Sequence, residues 1–239
     1  MHFDSIRSLI QDDFVAADQL IVEQLQSDIP LIQELSKHII ESGGKRLRPL
    51  LVLLSARAFA YSGNHHITLA AIIELIHTAT LLHDDVVDAS KLRRGKASAN
   101  SIWGNEASVL VGDYLYSRAF QMMISVNNMT IFEILAEAAN TLAAGEVLQL
   151  IQQHNPAIDE ARYMQVIQSK TAKLFEVAAK TGAILSERSP QEITAIAKYG
   201  MHLGTAFQLV DDALDYCATS KEFGKNLGDD LAEGKATLP

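Results

Sequence analysis

The side chains with the clearest chemical potential are two clusters of aspartates. The first contains Asp84 and Asp88, and the second contains Asp211 and Asp215. Both pairs are spaced four residues apart, which on a helix places the two carboxylates on one face, where they repel each other. A hard divalent cation such as Mg²⁺ neutralises carboxylates in this arrangement and is often shared with substrate phosphates. The two clusters therefore predict a magnesium-dependent site for a phosphorylated substrate.

Each cluster follows a strongly apolar stretch, at 75–82 and at 207–210. Half-buried like charges are costly unless a cation compensates them. A solvated acidic helix end is the alternative explanation, and it suits one cluster better than two that lie more than a hundred residues apart. A di-iron bundle needs a Glu-x-x-His motif on each of two helices, and the sequence has one such motif, from Glu74 to His77. The glycine-centred acidic loops of calcium sites do not occur.

Basic residues beside glycines are candidate phosphate ligands. The segment Gly43-Gly44-Lys45-Arg46-Leu47-Arg48-Pro49 places Lys45 and Arg48 at the start of a predicted helix, where anions are favoured. A single basic residue is usually an ordinary charged side chain on the surface. These residues are candidate phosphate ligands because each lies beside a glycine or an acidic cluster. The other candidates of this kind are Arg93, Arg94, Lys170 with its neighbour Thr171, Lys225 and Lys235.

Two polar residues lie within helical reach of the clusters. His77 precedes Asp84 by seven residues, which is two helical turns, and Gln208 precedes Asp211 by three. A core histidine bonded to the backbone is the alternative for His77. The functional hypothesis is that His77 contacts the phosphate of a second substrate.

Apolar residues recur at three- and four-residue spacing along nearly the whole chain, which predicts an all-α fold. Breaks fall at glycine, proline and asparagine. No linker, low-complexity tract or repeat divides the chain, so we expect a single domain over residues 1–239. The predicted helices span 5–26, 30–42, 47–62, 67–89, 106–126, 130–152, 159–184 and 190–217.

Composition excludes several classes of protein. The formal net charge of −9 argues against nucleic-acid binding and against docking on anionic lipid. The single cysteine, Cys217, cannot form an internal disulfide, and the N-terminus lacks the basic-then-apolar order of a signal peptide. No apolar run reaches the ~18 residues of a membrane span. These features predict a cytoplasmic protein without a transmembrane segment.

The motifs resemble those of the trans-isoprenyl diphosphate synthases, or polyprenyl synthetases, and are most similar to the long-chain bacterial members that make octaprenyl chains. They occur in the family's order along nearly the whole chain. The matching segments are 43–49, 76–88, 93–96, 107–113, 145–150, 170–172, 204–215 and 224–231.

This resemblance implies a helical bundle of the isoprenoid-synthase type around a central cavity. It also implies that about three Mg²⁺ ions bridge an allylic diphosphate to Asp84, Asp88 and Asp211, with Asp85, Asp212 and Asp215 orienting that shell. Lys170 would assist catalysis. The residues implied to contact the allylic diphosphate are Arg93, Lys170, Thr171, Gln208, Lys225 and Lys235, and those implied to hold isopentenyl diphosphate are Lys45, Arg48, His77 and Arg94.

The family pattern also predicts the product. Ala79 and Thr80 lie one helical turn below Asp84, where short-chain relatives carry a bulky aromatic residue. Two small residues here predict a product longer than four isoprene units, with octaprenyl diphosphate, made from farnesyl diphosphate for quinones such as ubiquinone, as the expected case. A homodimer is expected, with helix 106–126 as a candidate interface.

Three alternatives remain open at this stage: a shorter-chain synthase, a terpene cyclase and a non-catalytic partner subunit. A terpene cyclase would lack the residues implied for isopentenyl diphosphate, and a non-catalytic subunit tends to lose one aspartate cluster. Family members continue beyond Gly234–Pro239, so the C-terminal helices of the family are expected to be missing.

Overall fold

The computed structural model describes residues 3–155, 157–217, 228–232 and 234–238. It confirms the all-α prediction. The helices are α1 (Phe3–Ser8), α2 (Gln11–Gln24), α3 (Pro30–Glu41), α4 (Leu47–Ala58), α5 (His65–Val87), α6 (Ala99–Trp103), α7 (Asn105–Val126), α8 (Met129–Gln152), α9 (Glu160–Ile167), α10 (Lys173–Leu185), α11 (Pro190–Cys217) and α12 (Asp229–Ala232). A π-helical turn, Gln168–Ala172, joins α9 to α10, and a short hairpin, β1 (Leu92–Arg93) with β2 (Lys96–Ala97), follows α5.

Helix α5 is the centre of the bundle and packs against α2, α4, α7 and α10. Five large aliphatic side chains of its middle section are at most 1% exposed: Leu69, Ile72, Ile73, Leu75 and Ile76. A helix that is apolar on all sides is stable only when other helices surround it. Burying these five side chains contributes about 7–15 kcal/mol before the entropy cost of folding. The end of α5, which carries the first aspartate cluster, is therefore held by a rigid core.

Two predicted helices are interrupted. The prediction 5–26 was wrong at residues 9–10, where the chain turns between α1 and α2 because Ile10 enters the core at 3% exposure and Leu9 stays 72% exposed. The prediction 159–184 missed the π-helical turn. One extra residue in a turn leaves the apolar spacing on either side intact, so periodicity does not detect it.

The hairpin after α5 was not predicted, since two-residue strands are too short to show alternation. Its central residues, Arg94 and Gly95, have φ values of 54° and 76°, the positive values of a tight hairpin turn. The hairpin is held against α3, because His38 Nε2 lies 2.8 Å from the carbonyl oxygen of Ala97 and Lys96 donates to the carbonyl of Glu41 at 3.0 Å.

Within the described part of the chain, α5 and α8 are long and apolar enough to cross a membrane by length and composition alone. For α5 the burial explains the composition, since 67% of its apolar window lies inside the protein. For α8 the corresponding fraction is 22%. Most of the apolar window of α8 is therefore exposed in the part of the protein that the structure describes.

Candidate active site

The first aspartate cluster lies at the C-terminal end of α5, where a lysine approaches each of its outer carboxylates. Lys170 Nζ lies 3.6 Å from Asp84 Oδ2, and Lys235 donates to Asp88 Oδ2 at 2.7 Å. Burial raises the pKa of Asp84, the Lys170 charge opposes that rise, and the neighbouring Asp88 charge adds to it. A negative charge that is disfavoured in this way gains strongly from a nearby cation.

The middle aspartate of the cluster has a different partner. Asp85 is fully buried and accepts hydrogen bonds from the Arg93 guanidinium, with Nε 3.0 Å from Oδ1 and a second, short contact through Nη2. Burial alone would lower the pKa of Arg93, but the hydrogen bond and charge of Asp85 outweigh it, so the pKa is raised. This pair anchors the hairpin to the end of α5 and fixes the Arg93 guanidinium beside the cluster.

The π-helical turn brings Lys170 and Thr171 toward the aspartates. A Cβ atom on Gly145 of α8 would lie 2.9 Å from Ser169 Cβ and 3.0 Å from the backbone nitrogen of Lys170, so any larger residue would push the turn away from α8. The adjacent Glu146 accepts a hydrogen bond from Lys170 Nζ at 2.8 Å. Burial raises the pKa of Glu146 to about 7, with a further contribution from the Asp84 charge. The close approach of α8 to this turn is therefore made by Gly145, whereas its neighbours Ala143 and Ala144 are exposed.

A chain of hydrogen bonds connects this turn to the second aspartate cluster. Thr171 donates to Gln208 Oε1 at 2.7 Å, and Gln208 Nε2 donates to Asp212 Oδ1 at 2.7 Å. The phenol of Tyr163 on α9 donates to the other oxygen of Asp212. Because Lys170 lies at the first cluster and Thr171 is linked to the second, one turn of chain joins both clusters.

The C-terminal segment is attached to the second cluster and to α8. The backbone N–H of Asp230 donates to Asp215 Oδ2 at 3.3 Å, and the backbone N–H of His154 donates to the Gly234 carbonyl at 2.8 Å. These bonds place Lys235 next to Asp88, 147 residues earlier in the chain. Lys225, the other basic residue expected after the second cluster, lies outside the described residues.

A separate basic pocket forms where α4 begins beside α5. Arg48 Nη1 lies 3.0 Å from His77 Nε2, and the guanidinium stacks over Phe175 at 4.6 Å from the ring centre. Burial, with the charge of Arg48, lowers the pKa of His77 well below its ordinary value, so Nε2 is available to accept. Burial lowers the pKa of Arg48 to about 10, and the charges of Glu74 and Asp211 oppose that fall.

The other two predicted members of the pocket lie at its edge. The Arg94 guanidinium packs over Gly44, where a Cβ atom would lie 2.6 Å from Nη1 and where φ is +136°. Lys45 follows directly and is exposed. The four residues expected to bind isopentenyl diphosphate thus lie in one region, formed by residues 43–48, α5 and the hairpin. This region is separate from the contacts between the lysines and the first aspartate cluster.

The two residues expected to set product length differ in their surroundings. Ala79 is 0% exposed and belongs to the apolar core. Thr80 is half-buried, and its hydroxyl donates to the His77 carbonyl at 2.8 Å. Both side chains are small, as the sequence shows, and Thr80 lies directly one turn below Asp84.

Sequence reasoning missed three residues that position the others: Glu74, Glu146 and Tyr163. Helical spacing could have found Glu74, which lies three residues before His77. Tyr163 bonds Asp212 of another helix, and the π-helical turn separates it from regular register with Lys170. Glu146 stands inside the motif at 145–150, but its pairing with Lys170 depends on the approach of two helices that are distant in sequence.

The donor set suits a hard divalent cation that also binds phosphate. The side chains offer carboxylate oxygens, and burial disfavours the negative charge of Asp84. Among the residues that the structure describes, no three His, Cys, Asp or Glu side chains converge closely enough to hold an ion by themselves. Oxygens from a diphosphate would complete the coordination, as is usual for Mg²⁺.

Solved structures identify the class of fold. The chain superimposes on a polyprenyl synthase from Caulobacter crescentus CB15, complexed with calcium and isoprenyl diphosphate, with a TM-score of 0.96 and 49% identity over 99% of this chain and 72% of that one. A decaprenyl diphosphate synthase from Rhodobacter capsulatus gives a TM-score of 0.94 at 50% identity, over 99% of this chain and 73% of that one. The bundle is therefore that of an isoprenoid synthase.

Sequence comparison gives the family. The polyprenyl synthetase family model matches residues 29–239. Octaprenyl diphosphate synthase of Escherichia coli K12 is 54% identical over all 239 residues, which correspond to 74% of that protein. The chain belongs to the polyprenyl synthetase family, whose members are trans-prenyltransferases that use isoprenyl diphosphates and a divalent metal.

Proposed function

We propose that this protein condenses isopentenyl diphosphate with an allylic diphosphate, preferably farnesyl diphosphate, to make all-trans octaprenyl diphosphate. The observation that carries the proposal is the arrangement of two aspartate clusters around Lys170 and Thr171, with a separate arginine–histidine pocket beside them. The name and 54% identity of the E. coli relative support the octaprenyl product. The small side chains at Ala79 and Thr80 support a long product.

The allylic diphosphate would bind between the two clusters. Asp84, Asp88 and Asp211 would hold Mg²⁺, about three ions in all, and when bound these would supply the charge that neutralises the leaving diphosphate. Lys170 and Lys235 already lie at the carboxylates and would turn to the phosphate oxygens. The remaining contacts would come from Arg93, Thr171, Gln208 and Lys225.

Isopentenyl diphosphate would bind in the second pocket, held by Lys45, Arg48, His77 and Arg94. Arginine suits bidentate contacts to phosphate, and the neutral His77 adds a hydrogen bond without a further charge. This placement holds the isopentenyl double bond near the allylic carbon, which converts a bimolecular encounter into a local reaction.

The reaction breaks the allylic C–O bond, and diphosphate leaves with the bonding electrons. The isopentenyl double bond then forms the new C–C bond to the allylic cation. The proton lost from the adduct would pass to the released diphosphate. Lys170 assists by stabilising the negative charge that develops on the leaving group. The apolar core below Asp84 excludes water, which would otherwise capture the cation.

We also propose that residues 1–239 form one domain, that the chain acts as a homodimer in the cytoplasm, and that its product serves quinone synthesis such as that of ubiquinone. One continuous apolar core from α2 to α10 supports the single domain. The exposed apolar side chains of α7 and α8 support the dimer: Leu110 is 67% exposed, Ile124 71% and Ile151 73%. Light scattering of wild type and of Leu110→Glu tests the dimer, which the charged variant should dissociate.

The function is tested by incubating the protein with farnesyl diphosphate, labelled isopentenyl diphosphate and Mg²⁺, followed by chromatography of the products. We expect an eight-unit product as the main species. Absence of elongation by folded protein would overturn the proposal. A product of four units or fewer would overturn the octaprenyl assignment and leave the reaction class intact.

A further inference from the structure

Glu74 is a carboxylate that lies within the basic pocket although its sequence context is apolar. It is 5% exposed and lies three residues before His77 on α5, so both side chains project from the same face. Its carboxylate accepts a hydrogen bond from Arg46 Nη1. Burial lowers the pKa of Arg48 and of Arg94, and the Glu74 charge opposes that fall in both. One buried anion thus acts on three arginines.

The partner of Glu74, Arg46, controls the entry of the chain into α4. Its backbone is left-handed, with φ 49° and ψ 40°, which is uncommon for a residue with a side chain. Its guanidinium also lies 3.5 Å from the Ile40 carbonyl and 3.7 Å from Asp18. Because Arg46 stands between Lys45 and Arg48, its conformation fixes the directions in which those two side chains point.

We propose that Glu74 is a positioning residue for the isopentenyl diphosphate pocket. By binding Arg46 it holds the left-handed entry to α4, and by its charge it keeps Arg48 and Arg94 close together before the substrate arrives. The inference rests on the proposed function, because it takes this pocket to be the isopentenyl diphosphate site. A pocket whose cations are already assembled binds with a smaller ordering cost.

Positioning and simple charge effects predict opposite results. Glu74 is negative and the substrate is an anion, so removing the charge without any rearrangement would strengthen substrate binding. Removing the hydrogen bond to Arg46 would instead free the backbone at the start of α4 and let the arginines move apart, and substrate binding would then weaken. The sign of the change in KM for isopentenyl diphosphate therefore decides between the two roles.

The test compares Glu74→Gln with a matched control, Asp13→Asn. Asp13 is also a buried carboxylate bonded to an arginine of α4, with both of its oxygens 2.6 Å from Arg57, but Arg57 lies outside the pocket. Arg46→Gln removes the other half of the Glu74 pair and carries the test if Glu74→Gln fails to fold. For each variant we would measure kcat, both KM values, the melting temperature, and the calorimetric binding of isopentenyl diphosphate alone.

For Glu74→Gln we expect KM for isopentenyl diphosphate to rise about tenfold, the scale of a lost hydrogen bond between charged groups. The KM for the allylic substrate should stay within about twofold, since the two sites are separate. Asp13→Asn should lower the melting temperature and leave both KM values unchanged. An unchanged or lower KM for isopentenyl diphosphate, or an equal rise in both KM values, would overturn the inference. If wild type binds isopentenyl diphosphate but does not elongate, the proposed function fails, while weaker calorimetric binding by Glu74→Gln still supports the role of Glu74.

Discussion

Replacing Thr80 or Ala79 by phenylalanine should shorten the product. With a helical rise of ~1.5 Å per residue, these positions lie about 6 Å and 7.5 Å below Asp84 along the α5 axis. An aromatic ring at that depth would leave room for only the first isoprene units of the growing chain. We expect both variants to stop at shorter products than wild type.

The two substitutions differ in their expected effect on stability. Ala79 is 0% exposed, so a ring there must displace packed neighbours, at a cost of about 1–3 kcal/mol. Thr80 is half-buried, and its replacement removes the hydrogen bond to the His77 carbonyl, worth about 1 kcal/mol. Thr80→Phe is therefore the cleaner test of the two.

The assay sizes the products formed from farnesyl diphosphate and labelled isopentenyl diphosphate, with circular dichroism as the check on folding. Thr194→Phe is the matched control, because Thr194 also bonds a carbonyl one turn back but is exposed at the start of α11. Its product should equal that of wild type. If both α5 variants fold, elongate and give the wild-type product length, the argument that these residues form the floor is wrong.

Three further predictions follow from the site. Asp84→Asn should lower kcat by at least ~100-fold without lowering the melting temperature, since burial disfavours the charge that the substitution removes; a small loss of kcat would contradict the proposed role. The pKa of Glu146 is raised from 4.5 to about 7, so the folded state binds its proton more tightly and stability falls as pH rises through that interval. The melting temperature of Glu146→Gln minus that of wild type should therefore increase as the pH rises from 4.5 to about 7. A difference that does not change with pH would refute the raised pKa of Glu146. Tyr163→Phe should cost about 1.5–3 kcal/mol in urea unfolding by removing the bond to Asp212; an effect below ~0.5 kcal/mol would show that this bond contributes little to stability.

Helical periodicity was sufficient to predict most of the fold, because it depends on local spacing. It located α5, α7, α8 and α11 to within two residues at each end. It failed where one residue changes the geometry without changing the pattern, as at Ile10 and in the π-helical turn. The hairpin after α5 depends on positive φ values at two residues, which hydrophobic spacing does not show.

The candidate site was predictable in its residue types but not in its pairings. The spacing of Asp84 and Asp88 indicated a shared face, yet the approach of Lys235 to Asp88 depends on a segment that follows α11. Arg93 was expected to contact substrate, and the structure adds a buried partner for it in Asp85. Such partners come from the packing of distant elements, so the sequence alone could not assign them.

The π-helical turn at 168–172 makes this region of the chain intolerant to changes in length. Each residue of an α-helix advances the direction of the side chain by about 100°, so deleting one residue here would convert the wide turn to a regular one and rotate everything that follows. After such a deletion, Phe175 could stay in the core only if Lys170 and Thr171 turned away from the two aspartate clusters. Homologous genes that encode the same chemistry should therefore tolerate substitutions in this turn far better than single-codon insertions or deletions.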